Sequence, residues 1–180
     1  MKFFIPQLME RFGSSDPEIS DQANAQWQAA GDRYDAYLTQ VAPDLPEGIR
    51  HIQDNYSLHD AVVFGMGQQE RRFVIILRLD TPLQDMLILT YDLLTEPEIQ
   101  RDVLPSKHQC SARVEWMYDE VELDARKPPA CTQSILLSNG WEVRLRFRDV
   151  HVQEMQPVLP LCGPAPLVSE GHKGYRKETS

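Results

Sequence analysis

The sequence predicts an α+β fold, with N-terminal helices packed on a roughly six-stranded, mostly antiparallel sheet. Three observations carry this. Apolar residues recur at helical spacing as far as about residue 55 and alternate from Leu58 onward. The spacers between successive alternating runs are short, whereas a parallel pair needs a crossover of about a dozen residues or more. Two such runs, Ser134–Leu137 and Trp141–Val152, flank Ser138-Asn139-Gly140, and Asn-Gly is a strong hairpin signal because it supplies positive backbone φ.

Taken in order, Phe4, Ile5, Leu8, Met9 and Phe12 follow a helical spacing, so a short helix is predicted after Pro6. Gly13-Ser14-Ser15 breaks it. Ser15 or Asp16 then caps a second helix, with Pro17 at its first position and Glu18 in its first turn. That helix should run to about Val41, burying a stripe of Ala23, Trp27, Ala30, Tyr34, Tyr37, Leu38 and Val41. Pro43 ends it, and Pro46 starts a shorter helix through Ile49 and Ile52 to about Asn55.

Leu58–Gly65 reads as the first strand and Gly65-Met66-Gly67-Gln68-Gln69 as a turn. Arg72–Asp80 and Met86–Leu94 follow, the latter with Leu87, Leu89, Tyr91 and Leu93 on one face. Residues 95–109 read as a loop or short helix. Ser111–Leu123 is the fourth strand, with Val114, Trp116 and Tyr118 alternating against Arg113, Glu115 and Asp119. In the final hairpin Val143, Leu145 and Phe147 share the core face, while Glu142, Arg144, Arg146 and Arg148 face water. Residues 1–155 form a single α+β domain in this reading, and 156–180, with Pro157, Pro160, Pro164 and Pro166, form an irregular tail rich in Pro and Gly.

A length of 180 residues suffices for one domain with a sizeable core. The net charge of −9 is concentrated at the front, where residues 1–60 hold ten acidic and four basic side chains. Phosphate contacts require Lys and Arg, so this balance argues against nucleic acid as the partner and suits another protein, a basic one. The apolar start Phe3-Phe4-Ile5 is cut short by Pro6, Glu10 and Arg11, which argues against an export leader, and no apolar run is long enough to span a membrane. Cys110, Cys131 and Cys162 are odd in number and far apart, with no Cys-x-x-Cys pairing, as expected for a reduced, cytoplasmic protein. Phosphate-cradling loops, dinucleotide-binding glycine motifs and serine nucleophile elbows are absent, so no cofactor is expected.

Three groups of residues could carry chemistry. His59-Asp60 resembles the adjacent pair of metal-dependent hydrolases, with His51 or Asp119 as further ligands. The plainer reading has both side chains bonding to backbone where helix passes into sheet, with Asp60 sharing the packed parity of Leu58, Val62 and Phe64. Asp119-Glu120-Val121-Glu122 with Asp124 is an acidic run that could hold a hard cation, but such runs at strand ends are usually solvated. Arg144, Arg146 and Arg148 could bind an anion or RNA, although the aromatic interleaving of an RNA-binding sheet is missing from that face. Such ladders more often pair across strands with acids such as Glu115 and Asp119.

Leu58-His59-Asp60-Ala61, Trp116-x-Tyr118-Asp119-Glu120 and Ser138-Asn139-Gly140-Trp141-Glu142, leading to Phe147-x-Asp149-Val150, occur in an order that resembles small uncharacterised bacterial families. In these a helical segment precedes a Leu-His-Asp-Ala strand and a C-terminal antiparallel sheet. The resemblance covers about residues 15–152. It implies no catalytic role. Some proteins of this kind are thought to be immunity proteins, so it implies a non-enzymatic module that binds and neutralises a toxin.

Overall fold

The computed structural model describes residues 1–12, 14–81, 85–105, 113–124 and 130–155, with side chains at all of these except 9, 10 and 12. The predicted tail, Lys127-Pro128-Pro129, Cys110 and Cys162 lie outside the described residues. Among the described residues three helices lead: α1 (Pro6–Phe12), α2 (Pro17–Val41) and α3 (Glu47–Asn55), with a 3-10 turn at Ala42–Asp44 between the last two. Seven strands follow among the described residues: β1 (Val62–Gln69), β2 (Arg72–Arg78), β3 (Met86–Leu93), β4 (Glu98–Gln100), β5 (Trp116–Asp124), β6 (Ala130–Leu137) and β7 (Glu142–Met155).

Local chemistry explains the helix boundaries. Asp16 caps α2, its side chain accepting from the Glu18 N–H at 2.9 Å, and Pro17 occupies the first turn, where a missing N–H costs nothing. Pro43 lies in the 3-10 turn that follows Val41, and Pro46 precedes α3, whose Ile49 and Ile52 are buried.

The strands are antiparallel in the order β1-β2-β3-β7-β6-β5, with β4 pairing the start of β7. This is not the simple meander that short spacers suggest. Two three-stranded meanders are joined because β7, at fourteen residues, is long enough to pair with β6, β4 and β3. The sheet then curls until its ends meet. Val62 bridges Glu115, and backbone bonds run from Asp60 N to Trp116 O (2.8 Å), Trp116 N to Ala61 O (2.9 Å) and Val63 N to Val114 O (2.8 Å). Curling follows from strand twist, and the contact satisfies part of what would be two open edges.

The concave side is packed with side chains at alternate positions: Phe73, Ile75 and Leu77 on β2, Leu87, Leu89 and Tyr91 on β3, and Val143, Leu145 and Phe147 on β7. Leu45, Ile49, Ile52 and Leu58 join this core from the helical side. α3 approaches β7 so closely that a Cβ on Gly48 would lie 1.7 Å from the Val150 carbonyl oxygen, and the Gly48 N–H donates to Asp149 Oδ1 at 3.2 Å. α2 serves the free edge of β5. The Tyr34 and Tyr37 hydroxyls accept from the Val121 and Leu123 N–H groups, each at 2.7 Å, so the edge meets side chains where a further strand would otherwise bind.

Two local expectations need correction. Gly65-Met66-Gly67-Gln68-Gln69 is not a turn but the body of β1, where Gly65 pairs with Ile76 and Gly67 with Val74. The chain reverses at Glu70-Arg71, with Glu70 at φ 54°. Glycine marks a bulge here instead: the register slips between Val63 and Gly65, which swings Phe64 outward, 57% exposed, with the Arg78 guanidinium 5.3 Å from its ring. The 95–109 segment carries a short strand, β4, where a loop or helix was expected. The Asn139-Gly140 hairpin forms, with the Leu137 N–H donating to Trp141 O at 2.9 Å, but the positive φ expected of Asn-Gly is taken by Gly140 (79°) and not by Asn139.

Candidate functional site

The acidic run on β5 was expected in solvent, yet two of its carboxylates are built into the fold. A register shift between Trp116 and Tyr118 places an extra residue opposite Leu136–Leu137. A bulge of this kind exchanges the faces beyond it, so Asp119 turns to the same side as Trp116 instead of opposing it. There its Oδ1 accepts from the Trp116 ring N–H at 2.9 Å and its Oδ2 from the Gln133 Nε2 at 2.7 Å. Gln133 in turn accepts the Tyr91 hydroxyl at 2.9 Å, with both residues buried. Burial pushes the Asp119 pKa above the usual carboxylate value; the two hydrogen bonds oppose that shift and nearby Glu120 adds to it. Burial likewise raises the Tyr91 phenol well above its ordinary value, with the Asp119 charge adding to it.

Glu120, 1% exposed, faces the helices. Its oxygens accept from three consecutive backbone N–H groups, those of Lys2 (2.6 Å), Phe3 (2.7 Å) and Phe4 (2.5 Å). A buried carboxylate requires such partners. The Phe3 and Phe4 rings thereby enter an aromatic cluster. Phe4 lies 4.9 Å from Trp27, Phe3 lies 5.2 Å from Tyr34, and Trp27 lies 4.6 Å from Tyr118.

His59 and Asp60 sit in a tight turn before β1, in which the Ala61 N–H donates to Leu58 O at 3.0 Å. The alternating pattern therefore begins only after Asp60, and the expectation that Asp60 shares the packed face of Leu58 fails for that reason. Asp60 takes φ 65°, its side chain is 56% exposed, and its Oδ2 lies 2.9 Å from His59 Nδ1. The His59 ring packs edge-on to Tyr118 at 5.1 Å. His51 is elsewhere, with its Nδ1 3.1 Å from the Asn55 amide. His51, His59, Asp60 and Asp119 thus share no coordination sphere, and among the described residues no cluster of three His, Cys, Asp or Glu is placed to hold a metal ion.

The arginine ladder is also redistributed. Arg146 pairs with Asp124 at 3.1 Å, not with Glu115 or Asp119, because Asp119 faces inward and Glu115 takes Arg113 at 2.9 Å. Between Tyr91 and Leu93, two steps on β3 correspond to three on β7, from Val150 to Phe147. This second bulge falls at Arg148-Asp149, beyond the regular alternation that keeps Arg144, Arg146 and Arg148 on one face of β7. Arg148 opens into a groove of about 530 Å³ with Arg71 and Arg72, whereas Arg144 and Arg146 line another of about 480 Å³ with Glu98 and Thr132. Sequence reading missed Asp92, which binds His151 at 3.1 Å and Arg72 at 3.6 Å; only the strand register brings these three together.

No protein-family model, no curated protein and no solved structure matches this chain. Among the described residues no helix is long and apolar enough to cross a membrane.

Proposed function

We propose that this protein is a protein-binding module of the bacterial cytoplasm and, more specifically, that it neutralises a toxin as an immunity protein. One observation carries the first part: the curled sheet is filled by its own side chains, so recognition falls to the outer surface. Trp116, Tyr91, Phe147, Leu89 and Leu145 are wholly buried within it. The acids of the helices point the other way, with Glu18, Asp21, Asp32, Asp35, Glu47 and Asp54 all exposed on α2 and α3. That charge suits a basic partner, because fields of opposite sign speed encounter and disfavour wrong partners. The likeness to uncharacterised bacterial families with a Leu-His-Asp-Ala strand supports the immunity reading.

Expression of the neighbouring gene products, alone and together with this chain, tests it. One neighbour should arrest growth by itself, and co-expression should restore growth while the two proteins co-purify as a complex. Growth arrest that this chain does not relieve, with no complex formed, would reject the proposal.

A further inference from the structure

The two arginine grooves are parts of one trough. A smaller hollow of about 150 Å³ shares Glu70, Arg71 and Leu94 with the Arg148 groove and shares Thr95 and Glu96 with the Arg144 groove. The trough therefore runs from the β1–β2 turn and Arg148, past the β3–β4 connection, to Arg144 and Arg146 near the start of β7. Among the described residues, Arg71, Arg144 and Arg148 form no ion pair, although the chain as a whole is strongly acidic. Leu94, 38% exposed, lies between the two cationic ends.

From this geometry we infer that the trough binds an extended segment of a partner protein carrying two acidic side chains four positions apart, with an apolar residue between them. The inference rests on the protein-binding reading and deepens it. Arg144 and Arg148 are separated by four residues of β7, about 13 Å at strand rise, which is the same span as positions i and i+4 of an extended peptide. Arginine suits the role because its planar fork takes a carboxylate through two parallel bonds. The acids of the trough set its preference. Glu70, Glu96 and Glu98 stand between and beside the cations, so a strand with a phosphate at every step would meet like charge. A peptide charged only at its two anchors avoids that cost.

The test uses fluorescence anisotropy of a labelled peptide with two glutamates four positions apart and a leucine between them. Saturable binding is expected, weakening steeply as NaCl rises from about 50 to about 500 mM. Replacing both glutamates by glutamine should weaken it about tenfold or more, since glutamine keeps a carbonyl acceptor but loses the charge that strengthens each contact. R148E and R144E should each produce a comparable loss, with melting temperature and circular dichroism confirming an intact fold. Equal binding of the glutamate and glutamine peptides would overturn the inference. So would unchanged affinity in R148E and R144E, or displacement of the peptide by single-stranded RNA or inorganic phosphate. A toxin partner bound equally by the native protein and R148E would overturn the trough while leaving the protein-binding reading intact.

Discussion

The buried chain Tyr91–Gln133–Asp119–Trp116 offers the sharpest test of the structure, through Gln133→Leu. Leucine nearly conserves volume, so packing loss is small. What the substitution removes is a relay: Gln133 donates to Asp119 Oδ2 and accepts from the Tyr91 hydroxyl. The Tyr91 hydroxyl and Asp119 Oδ2 each lose that bond, Asp119 keeping only the Trp116 bond to Oδ1, and each orphaned buried atom costs about 1–3 kcal/mol. A loss near 3 kcal/mol is expected, which at this chain length corresponds to a fall in melting temperature of about 6–12 °C. Adding Tyr91→Phe removes one orphan, so the double variant should regain about 1–2 kcal/mol instead of losing more. The effect also has a pH signature. Asp119 already has a folded-state pKa above its ordinary value, and the Gln133 bond holds it down. Without that bond the pKa rises further. The resulting penalty is fully present above the folded pKa and is relieved as pH falls towards the unfolded value. The gap between native protein and variant should thus be widest near neutrality and narrow on acidification. Urea unfolding followed by tryptophan fluorescence at several pH values reads both effects. A Gln133→Leu protein as stable as the native one, or a double variant whose losses simply add, would refute the relay.

Gly48→Ala should destabilise strongly or undock α3, because its Cβ would lie 1.7 Å from the Val150 carbonyl oxygen, an atom held in the β7 backbone; thermal melting measures this. Asp60→Gly should leave stability within about 0.5 kcal/mol or raise it slightly, since the side chain is exposed and φ is 65°. A large loss on chemical denaturation would show that Asp60 holds a contact absent from this turn. Cys131 is buried and its thiol is pushed up to about 12, first by burial and then by the Asp149 charge. Peptide mapping after iodoacetamide treatment should therefore find it unmodified in the folded protein and alkylated in urea.

Much of the local structure was readable from residues alone. Asp16-Pro17 marks the start of α2, Asn139-Gly140 the final hairpin, and the alternation of Leu87, Leu89, Tyr91 and Leu93 the buried face of β3. Capping, turn geometry and strand alternation are governed by neighbours a few positions away, so these features survive in a linear text. Even the tyrosines of α2 were identified as facing inward. Their hydroxyls, which seal the edge of β5, could not be, because an edge exists only once the strands are ordered.

Tertiary structure decided the rest, and single-residue slips account for much of it. The bulge before Tyr118 turned Asp119 from the solvent face to the core. The pairing of β7 first with β4 and then with β3 put Arg144 and Arg146 in one groove and Arg148 in another. The turn at Leu58–Ala61 delayed the strand and left His59-Asp60 in solvent. Alternation is a period of two, so one inserted residue exchanges the faces of everything beyond it, and nothing in the inserted residue's own chemistry announces the slip. Composition and pattern therefore determined that this chain builds helices and an antiparallel sheet, while the register between strands, set by packing across the whole curled sheet, determined which charges are buried, which are paired and which stay exposed.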